Sequence, residues 1–93
     1  VASDPVTALK WTTERFDLGI SAKTIQAMLT DLGGRIQHFR KEKGLSQQQL
    51  ATASKLDRSY VSAVEHGKQN VSFATLKNLS DALDVNIVEL IDD

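Results

Sequence analysis

An all-α fold, a compact bundle of about five short helices behind an N-terminal helical extension, is what this sequence predicts. Three observations carry it. An apolar residue, a capping residue and a second apolar residue recur four times at the spacing of a helix start: Leu45-Ser46 with Leu50, Leu56-Asp57 with Val61, Val71-Ser72 with Leu76, and Val85-Asn86 with Leu90. At such a start the cap oxygen can accept from an orphan N–H group of the first turn, while the apolar pair forms a hydrophobic staple. Gly44 and Gly67 stand where helices would exit, and no period-two alternation of useful length argues for a strand.

Taken in order, Asp4-Pro5 reads as a cap followed by proline at the first helical position, opening a helix that carries Val6, Leu9 and Phe16 and ends at Gly19. Ser21 with Ile25, Met28, Leu29 and Leu32 predicts another. Gly33-Gly34 weakens any continuation, at about 1 kcal/mol per glycine relative to alanine. Residues 1–29 therefore read as a helical extension, a dimerisation or partner arm, and residues 30–93 as the main domain. In that domain Leu32, Ile36 and Phe39 step at helical spacing toward Lys41, Lys43 and Gly44, with cations near the negative end of the helix dipole. Ser46 opens the next helix, with Gln49 completing a capping box and Leu50 and Ala51 on the inner face. Asp57 opens the third, closing at Gly67; Ser72 opens the fourth, running to about Leu83; Asn86 and Glu89 start the fifth. The expected core is Leu45, Leu50, Leu56, Val61, Val64, Val71, Leu76, Leu79, Leu83, Val85 and Leu90.

Bulk properties narrow the function. At 93 residues the chain fits one small domain. It has no cysteine, which removes disulfides, thiolate metal sites and cysteine nucleophiles. No apolar run approaches the ~18 residues of a membrane span, and no signal-peptide core is present, so a cytoplasmic protein is expected. The net charge of −1 hides an asymmetry. Residues 35–77 hold eight cations against three anions, whereas residues 78–93 hold five acids and no cation. A phosphate-facing surface needs local rather than global positive potential.

The caps at Ser46 and Asp57 lie eleven residues apart. That interval admits one short helix, a tight turn and a second helix, the arrangement that sets its second helix into the DNA major groove. Duplex DNA is the expected partner.

Residues 32–91 resemble the Cro/C1-type (XRE) helix-turn-helix family of bacterial and phage repressors. The matching stretches are Arg35-Ile36, Arg40-Lys41-Glu42-Lys43-Gly44-Leu45-Ser46-Gln47, Leu50-Ala51, Ser59-Tyr60-Val61-Ser62, Glu65-His66-Gly67-Lys68, Asn70-Val71-Ser72 and Ala82-Leu83-Asp84-Val85. The resemblance implies that the helix after Asp57 is the recognition helix, with Arg58, Ser59 and Ala63 at base edges and Tyr60 and Ser62 flanking them. A guanidinium such as that of Arg58 can donate two bonds to guanine, worth about 1–3 kcal/mol against a wrong base. It further implies phosphate contacts from Gln47, Lys68, Gln69 and Asn70, and from Lys43. Arg40 and Glu65 match positions that the family pairs as a partly buried ion pair, a structural role. One departure stands out. Lys55 holds the inter-helix turn position that the family usually gives to glycine, at about 1–2 kcal/mol for a left-handed residue, which implies either a stability deficit or a lysine kept for a phosphate.

Other chemistry finds little support. His38 and His66 have no clustered carboxylate or cysteine in the sequence, Ser59 and Ser62 have no placed base, and Gly33-Gly34 stands alone rather than in a phosphate loop. No catalytic residue, metal or cofactor is expected. The resemblance implies a bacterial or phage-encoded, nucleoid-associated regulator, a dimeric repressor or autoregulator reading a pseudo-palindromic operator. Two alternatives stay open: an antitoxin-like interaction module gripping a toxin-like protein through residues 1–30, with Trp11 and Phe16 as anchors, or through the acidic last helix, and the DNA-targeting part of a larger protein.

Overall fold

A computed structural model describes residues 22–91. Among them the chain forms five helices and no strand: α1 (Ala22–Glu42), α2 (Gln47–Ser54), α3 (Arg58–Glu65), α4 (Phe73–Leu83) and α5 (Ile87–Ile91). The readings made from Asp4-Pro5 to Gly19, including the anchors Trp11 and Phe16, fall outside the described residues.

The first four helices close in one way. A left-handed residue, Gly44, Lys55, Gly67 or Asp84, follows the last turn. The next residue then donates back across it: Leu45 N to Arg40 O at 3.0 Å, Leu56 N to Ala51 O at 2.8 Å, Lys68 N to Ala63 O at 2.9 Å and Val85 N to Ser80 O at 3.0 Å. These 6→1 bonds, with the 5→2 bonds beside them, are Schellman closures that satisfy the last carbonyls. Leu45, Leu56 and Val85 thereby serve twice, as the apolar residue after one helix and the staple before the next. Each turn is short because one side chain completes both ends.

The helix starts are equally explicit. Ser46 Oγ accepts from Gln49 N at 3.0 Å while Gln49 Oε1 accepts from Ser46 N at 2.8 Å, a complete capping box. Ser72 Oγ accepts from Thr75 N at 3.1 Å, and Glu89 accepts from Asn86 N at 2.8 Å. Asp57 departs from expectation. Its backbone is extended, as an N-cap requires, but its side chain makes no capping bond.

Two further expectations are corrected. The first concerns Gly33-Gly34, which does not interrupt the chain's helix: α1 is one helix of 21 residues, far from short. A Cβ on Gly33 would stand 2.3 Å from Val64 O and 2.6 Å from Glu65 O, whereas one on Gly34 would meet nothing within 4 Å. Gly33 lets α1 lie directly on α3, and the packing gained there outweighs the weak intrinsic helix preference. The boundary expected between residues 29 and 30 falls inside α1. The second concerns the core. Ile36, Leu50, Ala51, Val61, Val64, Leu76, Leu79, Leu83 and Leu90 are buried. Leu45, Leu56, Val71 and Val85 are only half-buried, because they sit between helices; Leu56, Val71 and Val85 pack against the edge of that cluster. Around it α3 packs on α1 and α2, α4 on α2, and α5 on α1 and α4.

Candidate nucleic-acid interface

Helix α3 turns one face inward and leaves the other to solvent. Val61, Val64 and Glu65 are buried, at the three- and four-residue spacing of a helix stripe. Arg58 and Ser59 are exposed at its start; Tyr60, Ser62 and Ala63 are half-buried. Tyr60 packs its ring against the core and donates its hydroxyl to Asn70 O at 3.2 Å, so it also braces the following loop. Of the remaining candidates, Lys43, Lys55, Lys68, Gln69 and Asn70 are exposed in turns and Gln47 is half-buried at the start of α2.

A continuous polar chain links the interior to the start of α3. Arg40 Nε donates to Glu65 Oε2 at 2.6 Å and Arg40 Nη2 to Glu65 Oε1 at 3.0 Å, a two-point ion pair whose carboxylate side chain is fully enclosed. Arg40 Nη1 donates to Leu45 O at 2.8 Å, tying the pair to the α1–α2 turn. Glu65 Oε1 also accepts from Gln47 Nε2 at 3.1 Å, and Gln47 Oε1 accepts from Arg58 Nη1 at 3.3 Å. The guanidinium geometry suits this fork, and an enclosed charge left without it would carry a large desolvation cost. The family resemblance implied this ion pair but not its extension. Nothing in the spacing of residues 40, 47, 58 and 65 says that one amide spans the gap.

Lys55 takes the left-handed conformation, φ 60 and ψ 43, in the turn between α2 and α3. The position expected to need glycine is therefore left-handed, with a lysine in it. Missed altogether was Gln26, far upstream on α1, whose Nε2 donates to Gly67 O at 2.8 Å just beyond α3. Among the described residues no group of His, Cys, Asp and Glu could hold a metal, and no helix is long and apolar enough to cross a membrane.

With two short helices joined by a tight left-handed turn, the second offering its polar side, the chain matches the helix-turn-helix family model over residues 36–90. The chain belongs to that family. The match agrees with the Cro/C1-type resemblance. Control protein C.MunI of a Mycoplasma species is 42% identical over 62 residues, covering 66% of this chain and 84% of that protein. The transcriptional regulator SinR of Bacillus subtilis is 40% identical over 63 residues, or 67% of this chain and 57% of SinR. Among solved structures, the restriction-modification controller protein C.AhdI of Aeromonas hydrophila superposes with a TM-score of 0.68 at 48% identity, over 69% of this chain and 97% of that one. Membership makes this helix-turn-helix chain a DNA-binding transcriptional regulator.

Proposed function

We propose that this helix-turn-helix protein is a sequence-specific, non-enzymatic repressor or autoregulator that works as a homodimer on a pseudo-palindromic operator in the cytoplasm. The observation that carries the reading is the placement of Arg58, exposed at the first position of α3 and steadied by Gln47 Oε1 at 3.3 Å. A guanidinium at the leading end of a recognition helix suits guanine O6 and N7. Ser59 and Ala63 complete the base-facing set, with Tyr60 and Ser62 at its margins. Gln47, Lys43, Lys55, Lys68, Gln69 and Asn70 supply phosphate contacts, which set register and affinity but not sequence choice.

One helix-turn-helix reads few base pairs, so two copies about a two-fold axis are needed, with half-sites about 34 Å apart. Exposed apolar side chains support such pairing: Ile25 and Met28 on α1, and Val88 and Ile91 on α5. Met28 and Ile91 share a small surface cavity with Leu29, Leu32 and Leu90.

Selection of bound sequences from random duplex DNA at fixed salt tests specificity and half-site spacing together. Arg58→Ala should then relax preference at one base pair per half-site by about 1–3 kcal/mol. Equal weakening on every duplex would refute base readout by Arg58.

A further inference from the structure

The loop that leaves α3 is held at both ends. At its start Gln26 Nε2 donates to Gly67 O at 2.8 Å, while also donating to Thr30 Oγ1 at 3.2 Å. At its far end Tyr60 Oη donates to Asn70 O at 3.2 Å. Gly67 itself lies against α1: a Cβ there would be 2.8 Å from Thr30 Oγ1 and 2.9 Å from Thr30 Cα. Between these two pins stand Lys68 and Gln69, both exposed and each followed by a residue with an exposed side chain.

Gln26, Thr30 and Gly33 recur at four- and three-residue intervals and so share one face of α1. All three precede residue 36, where the family match begins. The upstream turns of α1 thus lie ahead of the family match and pack onto its back. Their reach ends at the loop beside the recognition helix.

We propose that Gln26 is a positioning residue for DNA binding: by holding the Gly67 carbonyl it keeps the Lys68-Gln69-Asn70 loop in the conformation that meets the phosphate backbone. The inference rests on the reading of that loop as phosphate-facing. A loop ordered beforehand loses less conformational freedom on docking, and that gain appears as affinity. Because phosphate contacts carry no sequence information, the gain is the same on every duplex.

The test uses the full chain with three variants: Gln26→Met, which keeps the length and removes the donor; a triple loop variant, Lys68→Ala with Gln69→Ala and Asn70→Ala; and the two combined. Binding is measured across a salt series on a selected duplex and on an unrelated one, alongside thermal melts. Gln26→Met is expected to weaken both duplexes about three- to ten-fold, the scale of one hydrogen bond. It should flatten the salt dependence, leave the melting temperature in place and add less than about two-fold in the loop-variant background, since coupled residues are not additive. If the loop variant weakens binding and Gln26→Met does not, the positioning role is overturned and the phosphate reading stands. If the loop variant binds as tightly as the parent, the phosphate reading falls and the positioning role with it. Additive losses, a loss confined to the selected duplex, or a loss that tracks a lower melting temperature would also overturn the assignment.

Discussion

At its leading end α3 follows a solvent-exposed turn closed by Lys55 at φ 60; at its trailing end it leaves through Gly67 at φ 70, buried against Thr30. Both turns carry the same Schellman closure, yet one accepts a long side chain and the other has no room for a methyl group. The leading end meets only conformational cost, a local property of one residue. The trailing end meets packing: Gly33 under Val64 and Glu65, Glu65 sealed onto Arg40, and Gly67 on Thr30. A recognition helix is anchored at its back so that its front can present chemistry. Substitutions at the front should therefore change what is bound, and those that open the packing at the back whether the helix is held.

Breaking the back should cost most. Glu65→Ala leaves Arg40 enclosed without its carboxylate and removes the acceptor of Gln47 Nε2. A loss of about 3–5 kcal/mol is expected in urea denaturation; an unchanged midpoint would deny the pair its structural role. Gly33→Ala should follow, at about 3 kcal/mol, because the added carbon meets backbone oxygens that cannot swing away. A melt showing Gly33→Ala to be as stable as the parent would dissolve the contrast between the two ends. The front offers the smallest effect and the opposite sign. Lys55→Gly relieves a left-handed lysine and should stabilise by about 1 kcal/mol. Duplex affinity separates the two explanations of this lysine: unchanged affinity denies it a phosphate, whereas weaker binding with a flatter salt dependence gives it one.

The contrast between the ends also marks how far the residues could be read in advance. Ser46 with Gln49 forms the predicted capping box because both partners lie within four residues. Asp57 fits the same pattern yet its carboxylate makes no cap, since sequence pattern names a competent group and not its rotamer. A propensity scale treats Gly33 and Gly34 alike, as weak points in a helix. The fold does not: one lies under α3 and the other faces open space. Arg58 and the loop residues are interface candidates through resemblance alone. The amide of Gln47 between Glu65 and Arg58, and that of Gln26 on Gly67, join residues separated by 11 to 41 positions and left no periodic trace.

Local chemistry written along the chain was enough to determine where α2 to α5 start and where α1 to α4 stop, which faces are apolar, and that a short pair of helices is set for a duplex. Caps, staples and exits act within about six residues, so the order of residues alone specifies them. Only the tertiary structure decided that α1 runs unbroken through two glycines, that its upstream turns grip the end of α3, and that a buried carboxylate is wired to Arg58. Those features depend on how closely two helix axes approach. Crossing distance is a property of the packed whole, which no stretch of sequence carries by itself.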